Sequence, residues 1–117
     1  MKRKFNNEKL TLDYNLLINK AKLFTEEKIK LNTFSNICSE IHCNLDYPME
    51  INASYIHDFK NGLINSIKLN VLQIISSITF AYSYGGISSC MTESKLKEII
   101  SFTIKTNESI ISNLEEI

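Results

Sequence analysis

The feature that constrains this chain most is a run without charge. Between Lys68 and Glu93, in "KLNVLQIISSITFAYSYGGISSCMTE", no residue is ionised, whereas elsewhere charges recur every few residues. Such a run either crosses a membrane or lies inside a folded domain. A spanning helix needs about 20 predominantly apolar residues, and length alone allows one here. Composition argues the other way. Asn70, Gln73, Ser76, Ser77 and Thr79 are spread along its first half, and Tyr82, Ser83, Tyr84 and the pair Gly85-Gly86 end the helix early. The helix expected over residues 67–84 is roughly 27 Å long at 1.5 Å per residue, with Ser-Ser at its middle. The reading is a helix apolar nearly all round because other helices surround it.

The rest of the chain also reads as helical. Proline and glycine are scarce, hairpin signals are lacking, and apolar residues recur every three or four positions. A first helix is expected over residues 8–24, with Leu10, Tyr14, Leu17, Ile18, Ala21 and Phe24 on one face and Asn7 as its N-cap. Thr25, followed by Glu26 and Glu27, reads as the cap of a second helix carrying Leu31, Phe34, Ile37, Cys38 and Ile41 on one face. That helix must stop before Pro48, so "NLDYPMEI" is the longest loop. Asn52 caps a third helix with Ile56, Phe59, Leu63 and Ile64 as its stripe. Gly62 within it costs about 1 kcal/mol relative to alanine, unless another backbone approaches there. Gly85-Gly86 supply the left-handed residue that ends the uncharged helix. Thr92 caps a last helix with Leu96, Ile99, Ile100, Ile104, Ile110, Ile111, Leu114 and Ile117 along its stripe. That helix is expected to pair with the uncharged one as an antiparallel hairpin.

The bulk numbers narrow the classes of function. The 117 residues suit one domain, and a chain of this length buries roughly 65% of its unfolded surface. Formal net charge is zero, so no counterion-release term drives nucleic-acid binding and no attraction favours an anionic membrane. Three cysteines, Cys38, Cys43 and Cys90, fit a reducing compartment better than a secreted scaffold. "MKRKFNNEKL" does not read as a signal peptide, and "SNLEEI" carries no hydrophobic anchor or lipidation box. Ile, Asn, Lys and Ser dominate, with one proline and no tryptophan. Such usage fits an AT-rich genome, as in a large DNA virus, a protozoan or a low-GC bacterium.

A buried helix, a short turn and a long amphipathic helix make up the core hairpin of Bcl-2-like proteins. "NSIKLNVLQIISSI" resembles the start of the central helix in poxviral Bcl-2-like inhibitors of apoptosis, where a Ser-Val-Lys-Leu-type segment leads into a Leu/Ser/Ile-rich helix. "LKEIISFTIKTNESIISNLEEI" resembles the helix that follows it. "FAYSYGGISSCMTES" is similar in texture to the Phe-Ser-Phe-Gly-Gly-Ala-Leu-Cys run of cellular members, but out of register with the first match, and helix lengths favour the first. The resemblance covers about residues 56–117, and more loosely 25–43. The cellular Asn-Trp-Gly-Arg signature is absent, and Lys68 stands roughly where its arginine would be. Lysine offers a point charge and no bidentate fork.

The resemblance implies an all-α, Bcl-2-like helical bundle with a buried central hydrophobic helix surrounded by amphipathic helices. It also implies a groove for the amphipathic Bcl-homology-3 (BH-3) helix of host pro-apoptotic proteins, the helix-in-groove mode. Carried over, Phe34, Ile37 and Ile41 of the second helix and Ile56, Phe59 and Leu63 of the third would wall the groove. Val71, Leu72 and Ile75 would floor it, and Lys68 would pair with the ligand's aspartate. For each apolar residue the rival reading is ordinary core, and for Lys68 a solvated charge at the edge of the uncharged run. The expected setting is host cytoplasm, reaching the mitochondrial outer membrane only through partners or a missing tail. A homodimer is compatible with the family, although no residue specifies it.

Other chemistry is thin. Cys38 and His42, four apart, can share a helix face, but Cys43 then points elsewhere and a fourth metal ligand would have to come from His57 or Cys90. No tight Cys-x-x-Cys pair exists, so no metal or other cofactor is expected. Cys38 reads as a small core residue. A Cys/His nucleophile has no motif behind it, and Glu26-Glu27 and Glu115-Glu116 read as solvated helix ends, so no enzyme is expected. Two rival functions remain: a Bcl-2-fold inhibitor of innate immune signalling that binds no BH-3 helix, and a small membrane-active helical protein. An unrelated bacterial or phage helical module is a third.

Overall fold

The computed structural model describes residues 7–43, 59–85 and 91–116. They form four helices: α1 (Asn7–Thr25), α2 (Leu31–Cys43), α3 (Phe59–Ser83) and α4 (Glu93–Glu115). The chain is thus a helical bundle, as the apolar spacing predicts. α1 and α3 each pack on the other three helices, whereas α2 and α4 do not meet. The Lys60 ammonium, near the start of α3, donates to the Glu115 carbonyl at the end of α4 over 3.1 Å. The last two helices therefore run antiparallel, as expected.

α1 follows its sequence pattern closely. Leu10, Tyr14, Leu17, Ile18, Ala21 and Phe24 are all buried and form one wall of the core. Burying an aliphatic or aromatic side chain of this kind stabilises the fold by roughly 1.5–3 kcal/mol. Thr25 departs from its expected role. It closes α1 instead of opening α2, and its hydroxyl donates back to the Lys22 carbonyl at 3.0 Å. The Lys28 N–H bonds the Leu23 carbonyl at 2.8 Å and the Glu27 N–H bonds the Phe24 carbonyl at 3.1 Å. This crossed pair is a Schellman closure, with Glu27 in the left-handed position at φ 62. The orphan carbonyls at the end of α1 claim the residues that were read as a forward cap.

α4 begins where the sequence places it. The Thr92 hydroxyl accepts the Lys95 N–H at 3.1 Å, and Glu93 occupies the positive first turn. Its inner face carries Leu96, Ile100, Ile104 and Ile111. Ile99 and Leu114 are half-buried, and Ile110 is exposed. Gly85 takes φ 80 just after α3, the left-handed residue expected there. Asn52, Ile56 and the "NLDYPMEI" loop lie outside the described residues, as do Gly86 and Ile117.

Two corrections concern α3. The third helix and the uncharged helix, expected as separate elements, are one continuous helix of 25 residues. Gly62 is buried within it, where the lack of a side chain suits close packing. Further, α3 is not surrounded. It is long and apolar enough to cross a membrane by length and composition, yet only 33% of its apolar window is buried. Ile74 and Phe80 lie open to solvent at 47% and 42% exposure, and Tyr84 just beyond the helix at 75%. Among the described residues, three neighbouring helices cover one side of α3 and none covers the other.

Candidate functional site

The residues expected to form a ligand groove converge at the contact of α2 and α3. Phe34, Val71, Leu72 and Ile75 have no solvent exposure, and Ile41 has 4%. All five belong to the single hydrophobic core, against which Ile37 packs half-buried. Leu63 is half-buried on α3. Phe59 is the first residue of α3, but its side chain lies outside the described residues, and Ile56 lies outside them altogether. Among the described residues, Leu63 of the expected wall and Val71, Leu72 and Ile75 of the expected floor lie on one helix. In this conformation Phe34, Ile41, Val71, Leu72 and Ile75 are core.

The Phe34 ring lies parallel to the Phe24 ring of α1, with centroids 5.1 Å apart and an interplanar angle of 12°. Residues that would receive a ligand helix therefore already receive α1. Two surface hollows lie elsewhere. One of about 210 Å³ between α1 and α2 is lined by Lys9, Asp13, Leu16, Glu40 and Ile41, and is smaller than a usual ligand pocket. Another lies between residues 27–33 and the start of α4, with Glu27, Lys28, Lys30, Glu93 and Lys97 on its rim. Only Ile41 of the expected groove residues lines either one.

Lys68, the expected partner of a ligand aspartate, has an aromatic neighbour within the chain. Its ammonium lies 5.6 Å from the centroid of the Tyr14 ring on α1, within cation–π range. Tyr14 is buried, and burial chiefly, then the carboxylates Glu108 and Glu115, raise its phenol above the ordinary value. Lys68 thus directs its ammonium at α1.

α2 and α3 also bury polar side chains that the sequence reading did not assign, and Cys38 of α2 meets Thr79 of α3. Ser35, Cys38, Ser76 and Thr79 are all buried. The Ser76 hydroxyl donates to the Leu72 carbonyl one turn back. Thr79 Oγ1 has no hydrogen-bond partner of good geometry, although its hydroxyl pulls the Cys38 thiol slightly downward. Burial dominates that thiol and pushes its pKa up to about 12. A thiol held neutral in this way is a poor nucleophile. The signal for these residues was present as Ser76 and Thr79 three apart on α3 and Ser35 and Cys38 three apart on α2, both at helix-face spacing.

His42 and Cys43 close α2, but their side chains lie outside the described residues, as do His57 and Cys90, so the weighed metal set cannot be assembled from described side chains. Among the described residues no three of His, Cys, Asp or Glu are grouped for a metal ion. No protein-family model matches the chain, and no curated protein and no solved structure matches it significantly.

Proposed function

We propose that this chain is a non-enzymatic Bcl-2-like interaction module, of the viral kind that blocks host signalling through surface contacts and binds no BH-3 helix. One observation supports the choice of surface over groove: Phe34, Val71, Leu72 and Ile75, which the resemblance makes groove residues, are wholly buried. Opening that site means exposing core, which costs roughly 25 cal/mol for each Å² of apolar surface uncovered. The Bcl-2-like and viral parts of the reading rest on the resemblance of "NSIKLNVLQIISSI" and the segment after it. The expected setting is host cytoplasm.

A second reading keeps the anti-apoptotic groove, and the meeting of Cys38 with Thr79 favours it. An α2–α3 contact that includes Cys38 and Thr79, with Thr79 Oγ1 lacking a partner of good geometry, is weaker than an all-aliphatic one. A BH-3 helix that displaced α2 would gain what that contact fails to hold. Calorimetric titration of the purified protein with a panel of BH-3 peptides separates the two. The surface-contact reading predicts no heat of binding from a folded helical protein. Sub-micromolar binding to any peptide in the panel would replace it with the groove reading.

A further inference from the structure

The bare side of α3 has an order of its own. Leu63, Ile67, Asn70, Ile74, Ser77, Ala81 and Tyr84 follow one another at alternating spacings of four and three. That spacing draws a single seam along the helix. The seam is open where it matters: Asn70, Ile74, Ser77 and Tyr84 are exposed, and Leu63, Ile67 and Ala81 are half-buried. Phe80 flanks it, its ring 4.4 Å from that of Tyr84. Nothing charged lies between Lys68 and Glu93, so most of the seam is neutral. The outer faces of α1 and α4, by contrast, carry Lys22, Lys95, Glu98, Lys105 and Glu108, all exposed.

We propose that this seam is the docking surface for a second copy of the same chain, packed antiparallel about a two-fold axis at Ile74. Three features point to a copy of itself. A neutral face is one on which identical molecules meet without like-charge repulsion. An axis at Ile74 sets Ile74 against its own mate and Asn70 against Ser77, so the two exposed polar side chains find each other. The same axis sets Ile67 against Ala81 and Leu63 against Tyr84, a larger side chain facing a smaller or flatter one. Such self-complementarity is what an isologous interface requires. A bilayer fits the seam less well, because it would strip water from Asn70 and Ser77 and supply no partner.

The exposed parts of Ile74, Phe80 and Tyr84 offer on the order of 300 Å² between them, less than the roughly 800 Å² per partner of a standard interface. The dimer is therefore expected at the weak end of specific association, with a Kd on the order of ten micromolar. Ile74 and Ser76 lie about 200° apart around the helix. The seam is thus distinct from the α2–α3 contact, and this inference does not depend on the function proposed above.

Sedimentation velocity of the full chain across a concentration series, from about a tenth to about fifty times that Kd, reads the association directly. The wild type should shift from monomer to dimer. Ile74→Lys and Ile74→Glu should each weaken association on the order of a hundredfold, since each brings like charges together on the axis. An equimolar mixture of the two should recover the dimer. Ile74 is half exposed, so both variants should keep the wild-type circular dichroism. Should either fail to fold, Ser77→Arg tests the same seam without touching an apolar side chain. A wild type that stays monomeric throughout, variants that dimerise as it does, or a mixture that stays monomeric would each overturn the proposal. So would binding of the monomer to neutral phosphatidylcholine vesicles through Ile74.

Discussion

The Phe24 ring of α1 stacks on the Phe34 ring of α2 at 5.1 Å, and both are fully buried. Lys97 of α4 holds its ammonium 5.0 Å from the centroid of the same Phe24 ring. One aromatic side chain thus joins three helices.

Phe34→Ala should therefore unfold the domain more readily, and not simply empty a binding site. A loss of about 3–5 kcal/mol is expected from urea denaturation. Ile75→Ala, equally buried, should cost about 2–5 kcal/mol. A double-mutant cycle on Phe24 and Phe34 should return a coupling of about 0.5–1.5 kcal/mol. A coupling near zero would mean that the stack is not formed in solution.

Thr79 offers a change in the opposite direction. Its hydroxyl is buried without a hydrogen-bond partner of good geometry, and valine has nearly its shape. Replacing an unsatisfied buried polar group by an apolar one of the same shape is neutral or stabilising. Thr79→Val should raise the denaturation midpoint, by about 1 kcal/mol of stability. A drop instead would show that the hydroxyl is partnered in solution, by water or by Cys38.

Lys68 separates the ligand role from the structural one. The resemblance makes it the partner of a ligand aspartate, so that Lys68→Glu should harm binding and leave stability almost untouched. Its place over Tyr14 predicts otherwise. Lys68→Met should cost about 0.5–1 kcal/mol for the lost cation–π contact. Lys68→Glu should cost more, because it sets a carboxylate against the electron-rich face of the Tyr14 ring where a cation was held. Equal stability of wild type and both variants, measured by thermal melting, would remove Tyr14 as the partner.

The buried thiol gives a pH dependence with a defined sign. Cys38 titrates at about 12 in the fold against 9.0 in an unfolded chain. Below pH 9 both states hold the proton, and the contribution to stability is constant. As pH rises from 9 towards 12 the unfolded state loses its proton first, so stability falls, by at most about 1.4 kcal/mol per pH unit from this group. The Tyr14 phenol, raised above its ordinary 10.0, acts in the same direction. Urea midpoints at pH 8 and pH 11 should differ less in Cys38→Ala than in the wild type.

Much of this fold was legible because charge marks the outside of a helix. In α1, lysines on one side and Leu10, Leu17 and Phe24 on the other left no choice of face. Thr92 was readable as a cap because a helical stripe begins directly after it. Thr25 misled because a threonine at a helix junction can serve either end, and only the crossed bonds of Glu27 and Lys28 decide which. The sidedness of α3 was not legible. A run without charge carries almost no outward signal, so Ile74 and Ile75 read alike although one is open and the other buried. The remaining cue was faint: Asn70 and Ser77 share a face, and that face is the bare one. Whether groove or core was meant by Phe34 and Leu72 could not be read either, since both demand the same apolar side chains.

The central claim is that α2 and α3 stay closed on each other, and Cys38, buried between them, reports on it. The most direct measurement is the rate of Cys38 alkylation in the native protein, in a Cys43→Ser, Cys90→Ser background, with and without BH-3 peptide. A closed contact predicts labelling only as fast as the whole domain unfolds, unchanged by peptide. Labelling well ahead of global unfolding, and slowed or hastened by a BH-3 helix, would contradict the account and show that the groove opens.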